Sequence, residues 1–409
     1  MRFSFFVVII IILVLIELYV FNGLRHLFSS DNLKTYTLVY YLTIFLMVAG
    51  NSSMFFAARK GFGETNFTVN TLLGIAFSII LSKIIIADFL LIEDIYRFLR
   101  LIVEKIAVKG NVSIVTRSNI LGYTALSLSS VFFVICMYGL FFGKYNYKVR
   151  HISLSFTDLP KEFNGFKILQ ISDIHSGTID NFSAVRRGIE LAKRQNADMI
   201  LFTGDLVNNF ADEIKPYSEL LGSLSAPFGK YSILGNHDYG HYFKWPSENA
   251  WEANMNKLYG YHDSMGFRLL KNQYVEIKKG NDSIILAGVE NWGKPPFHQY
   301  GDLDKTFQNN SNKQFIILMS HDPSHWDGQV LGFHKHIHLT LSGHTHGMQL
   351  GIEIGKFKWS LVKLFYPKWI GLYENNEKYL YVNRGFGFIG FPARVGIWPE
   401  ITVIELKYK

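Results

Sequence analysis

Two kinds of apolar pattern divide the chain. Up to about residue 150, Ile, Leu, Val and Phe run almost unbroken, and four stretches approach the roughly 20 residues that a helix needs to cross a bilayer. They cover residues 3–21, 36–57, 69–91 and 120–142. The first has no clear small-residue cleavage site and three more follow it, so it reads as a retained helix rather than a signal peptide. Glu17, Lys83 and Asp88 fall in or near these spans. Snorkelling toward an interface or pairing within a bundle accounts for them more simply than an ion pathway does. The pattern predicts an all-α membrane region of about four transmembrane helices over residues 1–148 and a globular domain over 149–409.

Beyond Arg150 short β-rich runs alternate with polar and helical stretches, and five of these runs end alike. Residues 166–172 (FKILQIS) lead into Asp173-Ile174-His175, and 199–203 (MILFT) into Gly204-Asp205. Residues 231–234 (YSIL) lead into Gly235-Asn236-His237-Asp238. Residues 315–320 (FIILMS) lead into His321, and 338–342 (HLTLS) into Gly343-His344-Thr345-His346. Near-continuous apolar runs of this length suit strands buried on both faces. Helical spacing over 183–195 predicts a βαβ unit from the first two. Open α/β sheets bind ligands beyond the carboxyl ends of their strands, so Asp, Asn and His delivered there by five strands predict a single site.

Oxygen and imidazole donors without thiolate suit Mn, Fe and Zn. Two such cations about 3.5–4 Å apart can neutralise a phosphoester, orient it and generate a hydroxide nucleophile near neutral pH. Taken singly, Asp-X-His or Gly-Asp marks an ordinary loop or turn far more often than a ligand. All five in order, each ending an apolar run, leave coincidence little room. Glycine before Asp205, Asn236 and His344 lets the backbone turn sharply and approach the cluster closely.

The ordered set Asp-X-His, Gly-Asp, Gly-Asn-His-Asp, His and Gly-His-Thr-His resembles that of the calcineurin-like metallophosphoesterase superfamily, from about residue 149 to the C-terminus. The segments LSGHTHGMQLG, WIGLYE, YVNRGFGFIG and FPARVGIWPEI are similar to its membrane-associated and secreted bacterial subgroup. Met348 departs from that subgroup, which commonly has Gly-Gly-Gln after the second histidine. The resemblance implies an α/β fold, a four-layer α/β/β/α sandwich of two packed mixed β-sheets flanked by helices. It implies two divalent metal ions, one on Asp173, His175, Asp205 and His346 and the other on Asp205, Asn236, His321 and His344, with Asp205 bridging. It also implies His237 beside the substrate, stabilising charge or protonating the leaving oxygen. The implied reaction is hydrolysis of a phosphodiester, pyrophosphate or phosphomonoester by a metal-bridging hydroxide.

A net charge of +8 would suit nucleic-acid binding, but +7 of it falls on residues 1–150 and +1 on the remainder. Lys and Arg that flank apolar spans meet lipid headgroups, so membrane lipids are the expected partners and nucleic acid is not. Cys136 is the only cysteine, which excludes an intrachain disulfide and a cysteine-based zinc site. Arg384 and Arg394 are the candidates for clamping a phosphate bidentately, with a structural salt bridge the equal alternative for each. His334, His336 and His338 alternate ahead of the last ligand-bearing strand and are expected as loop and edge residues rather than a third metal site. Asp238, His241 and His325 are expected to orient the ligands.

Residues 359–370 (WSLVKLFYPKWI) mix aromatic residues with Lys in a way that suits a membrane interface, which points to a lipid-linked phosphoester substrate. An even number of spans puts both ends of the chain on one side. Six cationic residues on that side face seven on the other, five of them in the loop 92–118. The small excess leans that loop toward the cytoplasm, and the catalytic domain outside a bacterial inner membrane. The competing reading is a non-catalytic membrane protein with a structural or vestigial metal site, although no ligand of the pattern is missing. Oligomeric state is not legible.

Overall fold

The computed structural model describes residues 3–59, 66–107, 115–308, 310 and 314–409. It divides into two compact units, one of residues 1–55 and 71–140 and the other of residues 56–70 and 141–409.

The first unit is built on four helices, α1 (Phe3–Leu24), α2 (Ser30–Arg59), α3 (Phe67–Ala107) and α4 (Asn119–Phe141). Each carries a stretch long and apolar enough to cross a membrane. Large side chains such as Leu38, Phe45 and Val134 face outward, as suits a hydrocarbon solvent. Of the charged residues in the spans, Lys83 on α3 donates to Glu17 Oε2 on α1 (2.6 Å) and to Thr43 Oγ1 on α2 (2.8 Å). Pairing within the bundle is therefore what these two residues do, whereas Asp88 stays on the outer surface. The expected loop from residue 92 is instead a continuation of α3 to Ala107. Asp94 on this continuation pairs with Arg97 one turn on (2.9 Å) and with Arg117 beyond the helix (2.6 Å).

In chain order the strands of the second unit are β1 (Lys148–Phe156), β2 (Phe166–Ile171), β3 (Met199–Phe202), β4 (Lys230–Ser232), β5 (Phe267–Leu269), β6 (Gln273–Lys279) and β7 (Asp282–Gly288). They continue with β8 (Ile316–Met319), β9 (Leu339–Ser342), β10 (Ile352–Ile354), β11 (Phe357–Trp359), β12 (Gly371–Asn375), β13 (Lys378–Val382) and β14 (Glu400–Tyr408). One six-stranded sheet has the order β1-β14-β2-β3-β4-β5, the other β12-β13-β9-β8-β7-β6, and β10 with β11 forms a separate hairpin. Strands β2 to β5 run parallel, as do β7, β8, β9 and β13, while β14 against β2 and the pairs β6–β7 and β12–β13 are antiparallel. Both sheets are therefore mixed.

Strand periodicity explains the layering. On β2, Ile168 faces the second sheet, where it joins Leu201, Ile233, Ile317 and Leu339 in a core between the sheets. Its neighbours Leu169 and Ile171 face the opposite way, onto Val185 and Ile189 of helix α5 (Phe182–Lys193). Helix α6 (Ser218–Gly222) and helix α7 (Glu248–Ser264) add Leu221 and Leu258 to that outer layer. Beyond the second sheet, Ile285, Ile316 and Leu318 meet Trp326 and Phe307 of helix α8 (Leu303–Phe307). The four layers α/β/β/α follow, with β2-α5-β3 as the expected βαβ unit.

The buried pair in the helical unit has a measurable signature. Lys83→Met strands the Glu17 carboxylate and should destabilise this unit by about 3–5 kcal/mol. Adding Glu17→Leu should restore most of the loss, read as the thermal midpoint of the detergent-solubilised full chain.

Candidate metal centre

Each candidate ligand follows a strand at its carboxyl end, and the strands come from both sheets. Strand β2 delivers Asp173 and His175, β3 delivers Asp205, and β4 is followed by Asn236 and His237; across the inter-sheet core, β8 delivers His321 and β9 delivers His344 and His346. The side chains gather into two groups, Asp173 with His175 and His346, and Asp205 with His321 and His344, with donor atoms in each group within 4.8 Å of one another. Asp205 Oδ2 lies between the groups, 3.4 Å from His175 Nε2 and 3.2 Å from His321 Nε2. Asn236 Oδ1 lies 2.8 Å from His344 Nδ1.

Local backbone geometry sets these positions. Asp173, His175, Asp205, His344 and His346 all have positive φ, between 48° and 70°, a conformation costing on the order of 1–3 kcal/mol for a residue with a side chain. Hydrogen bonds hold it. The buried Asp238 carboxylate accepts from the backbone N–H groups of Asp205, Leu206, Val207 and Gly235. Burial and the neighbouring Asp205 charge push its pKa up to about 7. Asp205 Oδ1 in turn accepts from His237 N, and the Asp173 carboxylate from His344 N. A Cβ at Gly235 would run into the Asp205 carboxylate, and one at Gly343 into that of Asp173. These two positions leave room only for glycine.

Hydrogen bonds orient the imidazole rings. His175 Nδ1 donates to Asn208 Oδ1 (3.0 Å) and His321 Nδ1 to the Thr203 carbonyl (2.8 Å), which turns both Nε2 atoms toward Asp205 Oδ2, that of His175 lying also 3.0 Å from His346 Nε2. His344 is held between two partners, its Nε2 2.8 Å from the Tyr366 hydroxyl and its Nδ1 2.8 Å from Asn236 Oδ1, while Tyr366 also reaches Asp322 Oδ2 (3.3 Å). Asn236 is held in that sense by its Nδ2, which donates to Tyr242 (2.8 Å). Carboxylates and imidazole nitrogens crowded into a buried site favour positive charge between them. A proton is one source: burial opposes charge on His321, but Asp205 and Asp173 outweigh it and raise the pKa to about 10. Burial likewise opposes ionisation of Asp173, yet His346 and His321 hold it at about 2, and His321 and His237 keep Asp205 well below the usual range. Divalent cations are the other source, and a donor set of carboxylate, amide oxygen and imidazole fits them.

His237 is positioned differently. Its Nδ1 donates to the Asn208 carbonyl (3.1 Å) and its ring stacks on Tyr242 with centroids 4.4 Å apart, which fixes the ring beside His175. A cavity of about 200 Å³ opens next to Asn236, with Tyr239, Tyr242 and Phe297 in its wall.

Both arginine candidates turn inward. Arg384 pairs with Glu353 and Glu400, and Arg394 donates to the carbonyls of Arg384, Gly385 and Gly387 while lying 3.2 Å from His346 Nδ1. Each is buried and bonded to the protein itself, the arrangement of the structural alternative. Of the bystander histidines, His338 pairs with Asp158, His325 with Ser320 and Gln329, and His241 with Tyr300. Among the described residues, none of His334, His336 and His338 belongs to a group of metal-ligand type. Asp238 supports backbone rather than an imidazole. Met348 has φ +57°, a conformation that explains glycine at this place in the similar subgroup.

Asn208, Tyr366 and Asp322, which orient His175 and His344, were not singled out in the sequence. Asn208 carries a weak local signal, three residues after Asp205, and Tyr366 none at all. Arg384→Met should leave two carboxylates short of a partner and lower the unfolding midpoint of the catalytic unit by on the order of 10 °C, measured on the full chain in detergent.

Residues 1–144 match the family described as a probable calcineurin-like phosphoesterase transmembrane domain, and residues 166–348 the family described as calcineurin-like phosphoesterase. A transmembrane protein with metallophosphoesterase domain from Danio rerio is 30% identical over 282 residues, 67% of this chain and 60% of that protein's length. The Bacillus subtilis (strain 168) uncharacterized metallophosphoesterase YkuE is 32% identical over 257 residues, 61% of this chain and 82% of its own length. An uncharacterized metallophosphoesterase of Aquifex aeolicus (strain VF5) is 28% identical over 268 residues, 65% of this chain and 94% of its length. With two donor clusters at the ends of strands from a four-layer sandwich, and with these likenesses in both regions, the chain belongs to the calcineurin-like metallophosphoesterases.

Proposed function

We propose that this chain is a membrane-anchored hydrolase that uses two divalent cations to cleave a phosphodiester, a pyrophosphate or a phosphomonoester. The observation that carries the reading is the pair of adjacent donor groups, Asp173 with His175 and His346 and Asp205 with His321 and His344, that meet at the Asp205 carboxylate in a buried site. Asp173, His175, Asp205 and His346 would hold one cation, and Asp205, Asn236, His321 and His344 the other, with Asp205 shared. When bound, such a pair neutralises the charge of a phosphoester and lowers the pKa of water toward neutrality. Mn, Fe and Zn all suit the donors.

The chain's own residues supply the rest. With its Nδ1 hydrogen committed to the Asn208 carbonyl, His237 keeps Nε2 for the phosphate, to stabilise charge or, when protonated, to donate to the leaving oxygen. The cavity beside Asn236 takes the organic part of the substrate, its aromatic wall favouring an apolar or planar group. Four membrane-crossing helices keep the domain of residues 149–409 close to a bilayer, which favours lipid-linked phosphates met on the extracytoplasmic side.

Stripping the metals from the purified full chain should abolish turnover of a phosphoester panel, and reloading with Mn, Fe or Zn should restore it. His237→Ala should retain the metals while kcat falls by about 10²–10⁴. Asp205→Ala should lose metal and turnover together. Full turnover in both variants would overturn the roles, and bound metal without turnover in the parent chain would favour a structural metal site instead.

A further inference from the structure

The segment after the last ligand loop has two faces of opposite character. On its inner face Val362, Trp369 and Ile370 pack with Ile397. The Ser360 hydroxyl shares its hydrogen between the Gly347 (3.0 Å) and Leu350 (2.9 Å) carbonyls, and Thr345 Oγ1 donates to the Trp369 carbonyl. Tyr366 closes this face against His344. The segment is thereby tied to the loop that carries His344 and His346, and forms a lip on the metal centre.

The outer face has no such partners among the described residues. Ile354, Phe357, Trp359, Leu361, Leu364 and Phe365 are between 46% and 78% exposed, gathered on the β10–β11 hairpin and the turn that follows it. Exposed apolar side chains scattered singly need no explanation, but so many on one short segment mark a surface that something covers. Lys356 and Lys363 stand among them without an ion-pair partner among the described residues, whereas Lys358 and Lys368 are tied to Glu353 and Asp327.

That mixture discriminates between occupants. The centre of a protein–protein interface is depleted in lysine. A bilayer surface takes lysine readily, because apolar side chains enter the acyl boundary while the ammonium groups remain among anionic headgroups. The chain also carries four helices of membrane-crossing type, so lipid is at hand.

We propose that the lip of residues 352–365 is a membrane-docking surface, which inserts its apolar side chains into a bilayer containing anionic lipid and holds the mouth of the metal centre against the headgroup layer. This goes beyond the reaction assigned above, since it stands on exposure and charge and holds for any chemistry at the site.

The single cysteine makes a direct test practical. In a Cys136→Ser background, Phe357→Cys, Leu361→Cys and Leu364→Cys are each labelled with an environment-sensitive nitrobenzoxadiazole dye, with Lys278→Cys on exposed β6 as the control. The full chain is reconstituted in phosphatidylcholine vesicles with or without phosphatidylglycerol, some carrying nitroxide on the acyl chains. Dyes on the lip should be quenched by nitroxide about twofold or more relative to the control, as for side chains at the acyl boundary. Quenching should weaken when phosphatidylglycerol is left out, or when Lys356→Glu and Lys363→Glu are combined. Quenching no greater than at the control overturns the proposal. So does shielding from aqueous iodide without nitroxide quenching, which would mean that protein covers the lip. No turnover is needed for the readout, so failure of the hydrolase reading would leave this result intact.

Discussion

Two carboxylates and four imidazoles are crowded together at the centre of the second unit: Asp173 with His175 and His346, and Asp205 with His321 and His344. Groups of like polarity, held a few ångströms apart away from water, repel unless positive charge lies between them. The surrounding structure exists to maintain this arrangement. Asp238 gathers four backbone N–H groups to hold the Asp205 turn, two glycines leave space for the Asp173 and Asp205 carboxylates, and five candidate ligands accept a left-handed backbone. The strain is concentrated where charge is concentrated, as expected of a site kept ready rather than assembled on demand.

The helical unit meets the same requirement by simpler means. Lys83 and Glu17 pair across helices with help from Thr43, and the charges of the α3 extension find partners on the same helix and at Arg117. The two units thus share one rule: a charge removed from water is kept only beside its complement. They differ in what supplies that complement, a second side chain in one and a cation or proton in the other.

Strands β2, β3, β8 and β9 were legible because each is an apolar run buried on both faces and followed closely by a candidate ligand. The helices of the membrane region were legible by length. The end of α3 was not, because charged residues beyond a span read as a loop unless their pairing one turn away is known. The arginines could not be assigned either: the planar fork that grips phosphate grips carboxylate equally well, and only the fold brings Glu353 and Glu400 to Arg384. Left-handed φ at Asp173 or His346 leaves no mark in composition, since it is imposed by hydrogen bonds from residues distant in the chain. Tyr366 was hidden for a related reason, an aromatic residue in an apolar stretch whose hydroxyl alone matters to His344.

The division of ligands between the two sheets carries a mechanical consequence. Asp173, Asp205 and Asn236 belong to one layer, and His321 and His344 to the other, with Ile168, Leu201, Ile317 and Leu339 filling the space between. An ion held among those candidate ligands would act as a rivet through both layers. Retention of the ion is therefore coupled to the seating of one sheet on the other. A small loosening of the hydrocarbon between them, too slight to unfold the domain, would be felt first as a metal that escapes.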